Sequence, residues 1–406
     1  MGELSQQPMC PHDMHRRKCS HRLPIRKQSS HPFDEGGTSG TMVSMCEQIA
    51  FVIGTAYRLR SMWEIRSSAS QRSSTVFAME MDLPAPYVAR PYRGPEDHPA
   101  MASILGEYHR HAGRSDLPTA EQIGVTYANL TNCDTATDIM VIESGSEPVG
   151  YVRTSWEQRD DESRDYVVFS PTRPAHIRRP LFEALVAAQE SHLRPMAAGV
   201  AEARFRAYAP HPGPSMEPTN ESAWLEALGY EAVRFEASLV RSDLENIPNL
   251  PLPDGVEIRA VTTEMLRPIF EAHWENFRGD WDFKEFVEED FQQFIDDPFR
   301  DVTMWKIAWA GDTVVGQVKS FINPKENAEM GYLRGYAEYI STHADWRNRG
   351  IAGALLAASL KEIKARGMTE AALGVDTSNP GGAFQLYTKL GFQLRSYEAA
   401  YAKPLT

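Results

Sequence analysis

From Glu338 to Leu356 the chain reads as a buried strand, a short basic loop and the start of a helix. Ile351, Leu355, Leu356, Leu360 and Ile363 recur at the spacing of one helix face, and Gly367 is a stop signal. Ala371–Asp376 reads as a second strand, leading into the turn-rich run Asn379–Phe392. The upstream sequence shows a similar order. Val141–Arg153, with Gly145 and Gly150, echoes Ile307–Lys319, with Gly311 and Gly316, at an offset of 166 residues. Both predict a hairpin turning at its first glycine. Val88–Arg90 matches Val256–Arg259 as an opening strand, each followed by a helical stretch, so a duplicated unit is the economical reading.

The loop between strand and helix is where chemistry concentrates. Arg347, Gly350 and Ala352 fall in an R-x-x-G-x-A spacing. The first N–H groups of a helix lack partners within it, and together with the helix dipole they favour an anion, which Arg347 and Arg349 would also attract. That points to a diphosphate site. An ordinary capped helix with surface arginines would carry the same residues.

R-x-x-G-x-A, then a strand, then N-x-x-x-A-x-x-L-Y-x-x-x-G-F over Asn379–Phe392 is similar to the acetyl-CoA core of the GNAT acyltransferases. The likeness spans about residues 85–405, with its sharp motifs inside 340–392. It implies an α/β fold, an α+β mixed sheet whose fourth and fifth strands splay around the pantetheine arm. The doubled pattern implies two such folds in tandem, an architecture like that of mycothiol synthase. The expected organisation is an irregular tail over 1–84, a degenerate GNAT domain over 85–245, a Pro-rich linker over 246–255 and a catalytic GNAT domain over 256–406. Prolines 248, 251 and 253 make the linker stiff.

The resemblance also implies roles. Ile340, Ser341 and Thr342 would hold pantetheine through backbone bonds, and their amides would polarise the thioester. Arg347, Asn348, Arg349, Gly350, Ile351 and Ala352 would hold the diphosphate, with Asn379 bonding the cofactor or capping a helix. Tyr387 occupies the L-Y slot as general acid. Glu338 is the candidate base, two residues nearer the loop than the usual position at Tyr336 but on the same strand face. His343 is the next candidate base or a strand-end cap, and Asp376 either orients the amine or ends the strand. In the first copy Pro180, Phe182 and Leu225 stand where the second has Gly350, Ala352 and Tyr387, so its anion site is lost. That copy would serve for packing, rigidity or walling the acceptor cleft.

Between Glu271 and Asp297 ten acidic residues interleave with Trp274, Phe277, Trp281, Phe283, Phe286 and Phe291. Two readings follow: an acceptor amine steered by acids and held on rings, or amphipathic helices with their rings buried. Phe321–Arg334 reads as a polar loop, and Gln393–Pro404 as a strand pairing with that at Ala371.

Composition bounds the rest. With 406 residues, 42% hydrophobic and 24% charged, the chain has room for two domains. A net charge of -13 disfavours nucleic acid and suits a cationic small-molecule amine. No segment is apolar enough to suggest a membrane span, and four cysteines suggest a reducing, cytoplasmic setting. Residues 1–80 carry +3, which leaves -16 on the rest. Their lack of periodicity suggests disorder, or a start at Met79 or Met81. Cys10, His12, His15, Cys19 and His21 could ligate zinc, but no predicted element would organise a second shell, so no metal is expected. The expectation is therefore an N-acyltransferase with acetyl-CoA as co-substrate, a monomer or homodimer; the rival is a non-catalytic acyl-CoA sensor or scaffold.

Overall fold

Two hairpins built alike set the frame of the computed structural model, which describes residues 79–114, 116–218, 220–278, 283–378 and 382–405. In the first, β2 (Ile139–Ser144) turns at Gly145 (φ +66°) into β3 (Glu147–Gln158). In the second, β8 (Lys306–Ala310) turns at Gly311 (φ +58°) into β9 (Thr313–Phe321). A positive φ is what glycine supplies at little steric cost.

Each hairpin lies within the same order of elements, except that the second half has one extra helix after its hairpin. The first half runs β1 (Tyr87–Pro91), α1 (His98–His111), α2 (Ala120–Ala128), β2, β3, β4 (Arg164–Phe169), α3 (Arg179–Leu193), β5 (Ala203–His211), α4 (Glu221–Ala227) and β6 (Glu231–Arg241). The second runs β7 (Glu257–Arg259), α5 (Leu266–Asn276), α6 (Glu288–Asp296), β8, β9, α7 (Pro324–Met330), β10 (Arg334–Thr342), α8 (Ile351–Ala365), β11 (Glu370–Asp376), α9 (Ala383–Lys389) and β12 (Gln393–Pro404). The short α7 replaces the expected loop. Asn323 caps it by accepting the Glu326 N–H, Pro324 opens it and left-handed Gly331 ends it.

The twelve strands of the described residues form one mixed sheet, ordered β1-β2-β3-β4-β5-β12-β6-β11-β10-β9-β8-β7. The expected pairing of β12 with β11 is absent. β11 pairs instead with β6 of the first half, and β12 lies between β5 and β6. The halves have therefore exchanged their last strands. Both exchanged strands are antiparallel to their hosts.

Glu236 and Glu398 face each other at the centre of this arrangement. Arg114 ion-pairs with Glu398 at 3.0 Å, and Glu236 and Glu398 both favour its charged form. Outward from that pair, Asp376 corresponds to Pro210 and Glu370 to Arg204. Their β10 and β4 partners, Arg334 and Asp165, therefore correspond, and Glu338 falls on Phe169.

The helix α8 is seated by two glycines. A Cβ on Gly316 would lie 2.6 Å from Ile351 Cγ2, and one on Gly335 2.7 Å from Ile363 Cγ2. Leu355, Leu356, Leu360 and Ile363 then pack on Val315, Val318 and Ala337 in one buried cluster. Among the described residues no helix is long and apolar enough to cross a membrane. The Cys10–His21 cluster and the tail up to residue 78 lie outside the described residues, which begin at Met79.

Candidate active site

The site begins where two parallel strands part. β10 and β11 pair from Arg334↔Glu370 to Tyr336↔Ala372, yet β10 continues to Thr342 and β11 to Asp376. On its other edge β10 pairs with β9, with a bulge between Glu338 and Ser341 that puts Tyr339 at φ +52°. A bulge re-aims side chains and releases ladder positions. Ile340, Ser341 and Thr342 thus lie on a strand segment with no ladder to β11. Ser341 Oγ accepts from Asn276 Nδ2 at 3.0 Å, which ties this segment to α5.

Glu338 spans the gap. Its carboxyl accepts the Gly374 N–H at 3.2 Å and is only 4% exposed. Gly335 and Ala337 face α8, so the strand's alternation puts Tyr336 and Glu338 on the opposite face. Burial raises the Glu338 pKa to about 8, opposed by the Gly374 bond; Asp116 raises it further and Arg114 lowers it. On this face lies a cavity of about 450 Å³, lined from the second half by Glu338, Tyr336 and Arg334 and from the first by Arg114 and Asp116. The first half therefore supplies one of its walls.

A second buried carboxyl, which the sequence did not single out, lies on α7. Glu326 on α7 accepts from Tyr336 Oη at 2.5 Å, Tyr332 Oη at 2.6 Å and the Leu117 N–H at 3.2 Å. Burial raises its pKa to about 7, against the two tyrosine bonds. Tyr336 also stacks on Phe321 with centroids 4.9 Å apart. The usual base position is thus held by a tyrosine fixed on a buried carboxyl. The N-P pair at Asn323 and the Gly331 stop were the missed signals.

Beyond Thr342 the chain turns through His343, whose Nδ1 accepts the Asp345 N–H at 3.3 Å, so this side chain caps a turn. Asn348 (φ +61°) and Gly350 (φ +82°) are both left-handed, and α8 starts at Ile351 with no side-chain cap. The N–H groups of Ile351, Ala352 and Gly353 open the helix and have no acceptor within it. Space around Gly350 is open: a Cβ there would meet nothing within 4 Å. The glycine is required by its φ rather than by crowding. Arg347 donates to Asn276 O at 2.9 Å and Thr342 O at 3.3 Å. Arg349 donates to Asp345 O at 2.9 Å and lies 4.6 Å from the Trp346 ring centroid. Both arginines are exposed and brace the loop in this state.

Tyr387 lies on α9, 5% exposed, in the cluster that contains Ile351, Leu355 and Val375, with its ring 6.3 Å from Phe392. Asp376 accepts the Ser378 N–H at 2.7 Å and lies 3.6 Å from Arg234, so it finishes β11 within an ion pair. Asn379 and Trp281 lie outside the described residues.

The rings of α5 and α6 do not form an open face. Phe270 packs against Trp274, Phe286, Phe291 and Phe294 at centroid distances of 5.1–5.3 Å. The cation among the neighbouring rings is the chain's own Lys319, 4.7 Å from Phe294, 5.0 Å from Tyr339 and 5.7 Å from Trp305. Several of the acids are occupied too: Glu271 and Glu288 pair with Arg267, and Glu275 and Glu285 with Arg278. Trp274, Phe277, Phe286 and Phe291 remain half-buried, and of the rings singled out in the sequence only Phe283 is fully buried among the described residues.

Residues 266–392 match the family model described as acetyltransferase (GNAT) family. A GCN5-related N-acetyltransferase from Sphaerobacter thermophilus is similar in structure, with 21% identity and a TM-score of 0.58 over 80% of this chain and 97% of that one. A tandem GNAT protein from the clavulanic acid biosynthesis pathway is similar at 14% identity and a TM-score of 0.55, over 79% and 98%. At such identities the likeness is one of fold. A search of curated protein sequences found no match.

Proposed function

We propose that the chain, whose residues 266–392 match the family model described as acetyltransferase (GNAT) family, moves an acetyl or short acyl group from acetyl-CoA to the amine of a small molecule, in its second half. The observation that carries this reading is Glu338, a buried carboxyl in the gap between β10 and β11 that also lines the 450 Å³ cavity. The residues around it suit a thioester co-substrate. The first-turn N–H groups of α8 and the open edge of β10 are unfilled donors and acceptors of the kind a diphosphate and a pantetheine arm need. Acetyl-CoA would supply the activated acyl carbon.

In this reading the acceptor enters the cavity with its amine cation-prone and must lose a proton to react. Glu338, as carboxylate, takes that proton. The nitrogen lone pair then forms the C–N bond as the C–S bond breaks, and the Tyr387 hydroxyl gives its proton to the departing sulfur. The surplus proton on the new amide nitrogen leaves to solvent, from which the tyrosine is reprotonated. Positioning contributes most, on the order of 7–11 kcal/mol for well-oriented reactants. The first half is catalytically silent in this scheme, since Phe169 stands in the Glu338 position and Pro180 replaces the loop glycine.

The test is thiol release from acetyl-CoA with a panel of amines, in wild type, Glu338→Gln and Tyr387→Phe, with CoA binding measured alongside. Turnover in wild type, lost in the variants with binding kept, supports the proposal. CoA binding with no turnover on any amine makes the chain a sensor.

A further inference from the structure

Charged side chains of both signs line the acceptor cavity. Its lining includes Arg110, Arg114, Arg334 and Arg395, against Asp116, Glu338 and Glu370. Three of these arginines already have partners. Arg114 pairs with Asp116 and Glu398, Arg334 with Glu370, and Arg110 with Glu329. With its raised pKa, Glu338 offsets little of this charge at neutral pH.

Arg395 differs from the other three. It makes no ion pair or hydrogen bond with another described residue, and it is exposed at the cavity. Its backbone position explains its placement: Leu394 pairs with Leu239 and Ser396 with Ser238, so Arg395 is the extra residue of a bulge in β12. Such a residue is lifted out of the ladder and its side chain re-aimed. The cavity therefore has a buried carboxyl for an amine and, in the same lining, an arginine fork that fits an anion.

We infer that the acceptor is an amine that also carries an anionic group, a carboxylate or a phosphate, and that Arg395 is the residue that reads it. This rests on the acceptor reading above, and it narrows the cationic acceptor suggested by net charge to one whose positive end is the amine alone. Lys319 already lies among the aromatic faces next door.

The test uses the full chain and measures binding by calorimetry at low salt, without acetyl-CoA. The probes are a series of ω-amino acids from glycine to 6-aminohexanoate against their carboxamides, and O-phosphoethanolamine against ethanolamine. At least one anionic member should bind about tenfold more tightly than its neutral partner, and Arg395→Ala should bring that ratio close to one. Arg395→Lys should restore part of it. The carboxylate and phosphate arms say which anion is read. Equal binding throughout both arms, or a preference that survives Arg395→Ala, overturns the inference. Acetyl transfer to the same probes is assayed separately: an anionic amine that binds through Arg395 but is never acetylated counts against the proposed transfer and leaves the anion site in place.

Discussion

Glu338 on β10 accepts the Gly374 N–H of β11 at 3.2 Å, so one carboxyl closes the gap that the two diverging strands leave. The same oxygen-bearing group is the proposed base. Glu338→Gln keeps an acceptor for Gly374 but cannot take a proton. It should lower kcat by about 10²-fold or more while leaving acetyl-CoA affinity within about twofold. Steady-state kinetics with calorimetry checks this, and an unchanged kcat excludes Glu338 as base.

The raised pKa of Glu338 also sets a pH dependence. At pH 7 a carboxyl of pKa about 8 is mostly protonated, so the base form grows as pH rises. For an acceptor amine whose own ionisation lies higher, log(kcat/KM) should rise with pH and bend near 8. Glu338→Gln should remove that bend.

Stability should run the other way. The folded pKa values of Glu338 (about 8) and Glu326 (about 7) lie above the 4.5 of an unfolded glutamate. Between pH 4.5 and 8 the folded state therefore binds more protons than the unfolded one, and stability from these groups falls as pH rises through that window. Tm should be lower at pH 9 than at pH 6, with the drop reduced in Glu338→Gln and in Glu326→Gln. A Tm difference unaltered by both substitutions contradicts this assignment.

The local frame around the candidate site was legible because it depends on neighbouring residues. The R-x-x-G-x-A spacing around Gly350, the helix face from Ile351 to Ile363 and the paired hairpins at Gly145 and Gly311 each depend on residues close in sequence. The exchange of β6 and β12 was not legible, since pairing partners more than a hundred residues apart decide it. The Arg395 bulge and the Arg114 and Asp116 wall depend on that exchange, so they were hidden with it. Lys319 among the rings was missed for a related reason: a lysine on β9 reaches rings that sequence places on helices and a neighbouring strand.

The exchange itself predicts that neither half holds its fold alone. Residues 79–245 would lack β12 beside β5, and 246–406 would lack β6 beside β11. Each half expressed alone should aggregate or show little cooperative unfolding, and co-expression should restore a folded complex. Circular dichroism and thermal melts of the separate and combined halves decide it; two independently cooperative halves contradict it.

The seat of α8 is testable through Gly316. A Cβ there lies 2.6 Å from Ile351 Cγ2, at the first turn of the helix. Gly316→Ala should cost about 1–3 kcal/mol and weaken acetyl-CoA binding by displacing that turn. Combining it with Ile351→Ala should cost less than the two losses summed. Additive losses in denaturant melts mean the contact is not felt.

Hydrogen–deuterium exchange with and without acetyl-CoA examines the diphosphate site itself. Slowed exchange over residues 348–353, with residues 178–183 unchanged, is the expected result. Protection at 178–183 instead, or at neither segment while acetyl-CoA is bound, contradicts a nucleotide site at the start of α8.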